Sequence, residues 1–511
     1  MKPLSVLRHI PWLLPLGLLA FLLPVSGQVP RARSDKDADK TKFRFAPERN
    51  PVNTTDKGVP LDFSGAPGAE KGVKWQAELG NISYGGPTIA AGKVFVGTNN
   101  EVPRDPAIRG DRGVLMCFDA KTGKFLWQAT HEKLPGGDST DFPKQGIASA
   151  PTVAGDRVYY VSNRCELVCA DINGDPKNPG KAKFYWKVDM VKELKVFPCQ
   201  LAVCSPLVVG DLVFAVTGNG KDVEPNPWTF PNPAAASFVA VNKNTGRVVW
   251  TDNSPGTEVL EGQWSNPVYA RTKDRALVIF PGGDGVLYAF DAFKPDKLIW
   301  KFDCNPRGAK FIEKNKRAWD RAHFLATPVV VGERLYIGTG HNPTHGAGVG
   351  HLWCIDITKK GDVSAKDDKL DPKAPENRDS ALVWHFGGRI VPRPQRERDV
   401  RFGRTLSTCC VVDGLLYIGE LDGFVHCFDA KTGEKYWTFD TRGEIWSAAS
   451  YVDGKVFIGN LDGDLYVFEH GKTLKKPKVL TFERPLRTPV QFVDGLLYTI
   501  TDTTLFAFGK K

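Results

Sequence analysis

Between residues 423 and 440 (GFVHCFDAKTGEKYWTFD) the side chains alternate, with Phe424, His426 and Phe428 on one face and Val425 and Cys427 on the other. A period of two predicts a strand, residues 429–433 read as a turn, and a second strand ends on Trp437. Gly433 supplies the positive φ that a tight hairpin needs, and Trp437 brings a large apolar surface that must be buried against a neighbour. The unit is a hairpin closed by an aromatic latch.

The same pattern recurs along the chain. Residues 113–127 (GVLMCFDAKTGKFLW) are nearly identical, and residues 238–250 and 285–300 keep the frame. Residues 166–186 and 351–384 are longer versions, 463–482 lack the Trp, and 504–509 hold only the first strand. Each copy is preceded by another short hairpin, as in residues 149–161 and 447–459, so each unit predicts four strands. The second strands fall at residues 93–97, 157–161, 212–216, 276–280, 334–338, 415–419, 455–459 and 496–500. Self-similarity at about 40–50 residues with four strands per unit predicts a β-propeller, because one such sheet cannot bury its faces alone. The last copy stops at Phe508, while an orphan Trp strand, residues 73–76, precedes the first. The expectation is an all-β, eight-bladed β-propeller over residues 73–511, with four antiparallel strands per blade and the N-terminal strand closing the ring. The latch tryptophans Trp127, Trp186, Trp250, Trp300, Trp384 and Trp437 are expected to lie between blades.

The repeat resembles the pyrroloquinoline quinone (PQQ)-like propeller family. Asp119, Thr122, Gly123 and Trp127 match its AxDxxTGxxxW pattern best, with Cys117 in the place of the leading Ala. The resemblance implies the fold. For function it implies either of two things, since that family includes quinoprotein alcohol dehydrogenases and non-catalytic outer-membrane-assembly lipoproteins.

Composition is compatible with a single ring: 511 residues, 41% hydrophobic, with 51 Gly. Residues 1–27 carry Lys2 and Arg8, an apolar run over 12–25, and Val25-Ser26-Gly27 before Gln28, which predicts a cleavable secretory signal rather than an anchor. The chain is therefore expected to be exported, to the periplasm or beyond the cell, with no membrane span after cleavage. No Cys follows the apolar run, so it is not expected to be a lipoprotein. Residues 28–72 are polar and read as a flexible leader. Asn53-Thr54-Thr55 fits a glycosylation acceptor by chance.

In such a blade the loops between second and third strands and the connections between blades share one face. The turns on the opposite face are tight, whereas residues 99–112, 218–236 and 340–350 are long insertions, and the connections 130–146, 304–323 and 387–404 are long as well. Long loops on a rigid scaffold are where binding resides. Residues 304–323 carry Arg307, Lys310, Lys314, Lys316, Arg317 and Arg321 against two acids, and residues 387–404 carry six Arg against two acids. Together they account for much of the net charge of +10 and predict a basic sector, with Arg389, Arg396, Arg398 and Arg404, facing an anionic ligand, polymer or protein partner. A nucleic-acid partner is not expected, and the chain is expected to be a monomer.

His341, His345 and His351 lie on one Gly-rich stretch, where His341 and His345 are candidate metal ligands. Residues 171–175 open like a calcium loop, but Pro176 and the missing distal Glu exclude one. Among the ten cysteines, Cys117, Cys169, Cys354 and Cys427 share one repeat position and read as small core residues. Cys165, Cys199, Cys204 and Cys304 have no pairing legible from sequence. Cys409-Cys410 resembles the vicinal disulfide that quinoprotein alcohol dehydrogenases place beside PQQ. Cys409 nevertheless fills a slot taken by Pro in other blades, which favours two core thiols. No haem c, Ser-hydrolase, zincin or phosphate-loop motif is present. A PQQ enzyme also needs calcium, an Asp base and an aromatic floor; Asn163, Arg164, Asn219, Trp264 and Asp284 are the candidates on the decorated face. The expected function is an exported, non-catalytic binding or scaffold propeller, with a PQQ- and calcium-dependent dehydrogenase as the alternative.

Overall fold

A computed structural model describes residues 46–224, 228–309, 321–390 and 400–510, all within one compact unit, Lys40–Lys511. The described strands form eight sheets, each built on four antiparallel strands, in sequence order in seven of them, and three sheets carry a short fifth strand paired in parallel. The first strands, one from each blade, are Thr88–Ala90, Thr152–Ala154, Leu207–Val209, Val268–Arg271, Val329–Val331, Cys410–Val412, Ser450–Val452 and Gln491–Val493. From the first blade to the seventh, successive first strands lie against one another around the axis. The ring closes as the repeat count predicts: Val73–Glu78 pairs antiparallel with Thr504–Phe508, with Trp75 opposite Ala507. The expected signal at residues 1–27 lies outside the described residues.

Apolar clusters span neighbouring blades, and the latch tryptophans join them. The indole N–H of Trp127 donates to the Ile172 carbonyl at 3.0 Å, and those of Trp300 and Trp384 reach Ile357 and Ala430 at 3.2 and 3.0 Å. Each such bond ties a fourth strand to the third-strand turn of the next blade. The turn glycine has a second role beyond its φ of +75° at Gly433: a Cβ there would stand 2.6 Å from the Trp384 ring, so the preceding blade's indole rests on it. Trp127, Trp300, Trp384 and Trp437 are buried, whereas Trp186 and Trp250 are only half-buried.

Where a flexible leader is expected, residues 46–72 are packed on the ring. The blade that lost its latch Trp is the seventh, and Val59 and Phe63 fill the space between it and the eighth. Phe63 lies 4.4 Å from Phe508 and 6.3 Å from Phe482, ring to ring. Upstream, the chain laces across the first strands of five blades. The Pro47 and Glu48 carbonyls accept from Tyr269 and Val330, Asn50 both donates to and accepts from Val411, and Val52–Asn53 pairs in parallel with Tyr451 and Val452. These backbone groups are the inner edges of the sheets, which need partners, and that is why a polar stretch becomes ordered. The Asn53 side chain is buried and bonded to the Phe492 carbonyl at 2.9 Å, which leaves no room for a glycan.

Candidate functional site

On the face that carries the long loops, the connection entering each first strand brings one side chain to the mouth of the axis. Three residues before the repeat's Pro slot stand Tyr84, Ala148, Val203, Trp264, Leu325, Leu406, Trp446 and Arg487, one from every blade. Together with Asn342–Thr344 from the fifth blade they line a cup of about 520 Å³. Tyr84 and Trp446 are nearly parallel, with centroids 6.1 Å apart, and the Arg487 guanidinium lies 4.6 Å from the Trp446 ring. Arg487 is oriented by Asp502, with Nε 2.8 Å from Oδ1. Tyr84 donates to Gln145, and burial raises its phenol pKa above the ordinary value.

Below the cup, two residues further along each connection, the channel narrows to a neck of about 30 Å³ lined by Ala150, Ser205, Asn266, Thr327, Thr408 and Ala448. Its polar groups form a belt: Asn266 accepts from the Ser205 N–H and donates to Thr327 Oγ1 at 2.7 Å, and the Thr327 N–H donates to Thr408 Oγ1 at 3.1 Å. Arg49 forms the floor. It is buried, adopts a left-handed φ of +60°, and donates to the carbonyls of Ser205 and Pro206 at 2.9 Å each and of Pro267 at 3.2 Å. Burial lowers its pKa to about 10.

Behind Trp264 sits a buried polar cluster. The Trp264 ring is 5.7 Å from that of His323, which is 5.5 Å from His341, and His345 Nε2 is 3.8 Å from Glu261 Oε2. Burial, with help from His345 and Arg404, lowers the His323 pKa to about 3, so this imidazole is neutral. Glu261 is raised to about 7 by burial, against the bond its Oε1 accepts from Asn342 at 2.9 Å. His351 points elsewhere, to His385, with Nδ1 2.8 Å from Nε2. Among the described residues no group of three or more His, Cys, Asp or Glu stands close enough to hold a metal ion, His341 and His345 included.

Of the described residues singled out from sequence, only Trp264 lines the cup. Asn163 braces Asp141 at 2.8 Å, Arg164 donates to the Lys133 carbonyl, and buried Asn219 bridges Phe197 and Asn232. Asp284 is buried and accepts from the Tyr288 hydroxyl at 2.6 Å; burial raises its pKa to about 6. Arg404 is also buried, donating to the carbonyls of His345 and Gly346, and burial followed by Arg389 lowers its pKa to about 10. Arg321 turns inward onto Asp303 at 2.9 Å, so the basic sector loses two of its charges to the interior. Arg389 and Arg401 are exposed, while Arg396, Arg398 and most of the basic residues of 304–323 lie outside the described residues. All ten cysteines are buried and unbridged, Cys409 and Cys410 included.

A calcium-held quinone asks for several carboxylate and carbonyl oxygens converging on one point. The cup wall has a single carboxylate, Glu444, while Glu261 and Asp284 are turned into hydrogen bonds behind it. The described residues do not fit that group.

The fold and the axial cup define a closed eight-bladed propeller with a central cavity. The chain belongs to the family described as outer membrane protein assembly factor BamB, whose pattern matches residues 68–223, 111–292 and 373–476. Among curated proteins it is 25% identical over 399 residues to a lupanine 17-hydroxylase [cytochrome c] of Pseudomonas sp, covering 71% of this chain and 50% of that protein. It is 27% identical over 247 residues to the dehydrogenase subunit of an alcohol dehydrogenase (quinone) of Gluconobacter oxydans (strain 621H), covering 44% of this chain and 26% of that one. The chain thus spans half or less of the length of these relatives. Among solved structures, BamB from Moraxella catarrhalis superposes with a TM-score of 0.52 at 14% identity, over 86% of this chain and 97% of that one. A europium-containing methanol dehydrogenase superposes at 0.57 with 12% identity, over 93% and 99%. These two likenesses concern the fold.

Proposed function

We propose that this is an exported, non-catalytic binding propeller whose ligand seats in the axial cup, with the loop-bearing face and its basic sector as the surround for an anionic partner. The observation that carries the reading is the belt of eight: every blade contributes one side chain at one repeat position, and the result is an aromatic, mostly apolar cup. Cavities of a few hundred Å³ with apolar walls and a few placed polar groups are ligand sites. Export rests on the signal expected at residues 1–27; among the described residues no helix is long and apolar enough to cross a membrane.

The second reading, a PQQ-dependent dehydrogenase, is favoured by the names of the curated relatives. It is opposed by the donor set of the cup. The two are separated by mixing the purified protein with PQQ and calcium. The binding reading predicts no stoichiometric bound-quinone absorbance and no dye-linked alcohol oxidation, whereas turnover would establish the dehydrogenase.

A further inference from the structure

The neck beneath the cup has a chemical bias that the fold alone does not require. Arg49 reaches it from the N-terminal strap, and its three bonds all go to backbone carbonyls through Nε and Nη2. No carboxylate pairs with this guanidinium among the described residues, and its Nη1 donates to no described group. A buried cation without a counter-ion is costly, and structures keep one where something else compensates it. The backbone at Arg49 is in the left-handed region, a strain that persists only where the surroundings enforce it.

The neck hydroxyls point the same way. Ser205 Oγ accepts from the Ala150 N–H, Thr327 Oγ1 accepts from Asn266 Nδ2, and Thr408 Oγ1 accepts from the Thr327 N–H. All three are used as acceptors, and none donates to a described group. Their protons, with those of Arg49 Nη1, make the neck a site of donors. At about 30 Å³ it admits the two oxygens of a planar head group, while a cavity of that size otherwise holds water. The six residues Ala150, Ser205, Asn266, Thr327, Thr408 and Ala448 line both neck and cup, so the two spaces adjoin across one ring of side chains.

We propose that cup and neck together take a small molecule with an aromatic or apolar body and one carboxylate, the body between Tyr84, Trp264 and Trp446 and the carboxylate on Arg49, Ser205, Thr327 and Thr408. This rests on the cup being a binding site and adds the polarity and orientation of its ligand. The strap then has two roles. Its backbone seals the inner strand edges, and its one buried cation reads the ligand's head.

The test uses the full chain and three probes of one shape, 1-naphthylacetate, the neutral 1-naphthylacetamide and 1-naphthyl phosphate, followed by quenching of tryptophan fluorescence. The acetate is expected to bind about tenfold or more tightly than the amide, the scale of a hydrogen bond to a charged group. Arg49→Gln is expected to erase that preference, weakening the acetate about tenfold or more and the amide far less. Thr408→Val, which keeps the shape of the neck and removes its donor together with the acceptor of the Thr327 N–H, is expected to weaken the acetate severalfold and the amide less; it decides the matter if Arg49→Gln fails to fold. Equal affinity of acetate and amide for the wild type would overturn the carboxylate site while leaving the cup a binding site. Tighter binding of the phosphate than of the acetate would overturn the choice of head group. Failure of all three to bind would overturn this inference and the cup reading together.

Discussion

Trp127→Ala is expected to destabilise the ring by about 3–5 kcal/mol, the cost of deleting a fully buried Trp from a packed core. The side chain is 1% exposed, meets Phe95 at 6.0 Å, and donates its indole N–H across the blade boundary to Ile172. The turn glycine of the next blade, Gly174, lies against it so closely that a Cβ would be 2.6 Å from its Cδ1. The loss therefore combines a cavity, an orphaned carbonyl and a parted interface. Trp250→Ala is the control. Trp250 is half-buried and packs mainly on Phe280 and Phe290 within the adjoining core, so its removal should cost clearly less. Urea unfolding midpoints of the two variants check this; a larger shift for Trp250→Ala than for Trp127→Ala would contradict the latch account.

Glu261→Gln is expected to stabilise the protein above neutral pH. Burial raises the Glu261 pKa to about 7 from an ordinary 4.5, so the folded state holds a proton that the unfolded chain has released. Stability from this group is fully present below pH 4.5 and is lost as pH rises to about 7, beyond which the whole penalty of a buried carboxylate remains. That penalty is about 3 kcal/mol. The amide keeps the acceptor for Asn342 and has no charge to bury, so the variant should be more stable by about that amount at pH 8 and nearly equal at pH 4. Denaturant titrations at the two pH values measure it. Parallel pH profiles for wild type and variant would mean that folding does not raise the Glu261 pKa, the carboxylate being held by His345 at 3.8 Å.

The ring was legible in the sequence because each blade repeats one physical requirement, a turn that needs Gly and a Trp that needs cover. Eight second strands and the orphan strand at Trp75 were enough to set the blade count and the closure. The site was much less legible. Asn163, Asn219 and Asp284 attracted attention as polar residues on the decorated face, but each is consumed by an internal hydrogen bond, which no local pattern reveals. The belt of eight carries a signal of position alone: its members stand in repeat register, three residues before the Pro slot, yet their types differ from blade to blade. Arg49 had none. It sits in a polar stretch that reads as a leader, and its burial follows from two distant facts, unpaired inner strand edges and a seventh blade without its Trp.

The measurement that bears most directly on the central claim is the binding of 1-naphthylacetate to wild type and to Ala148→Trp, by isothermal titration calorimetry. Ala148 stands in the belt and lines the cup, and an indole there would occupy the space between its walls without touching the strand pairing. The account predicts one site per chain in the wild type, no detectable heat of binding in the variant, and unfolding midpoints that differ little. Undiminished binding by Ala148→Trp would place the ligand elsewhere on the ring and contradict the cup as the functional site.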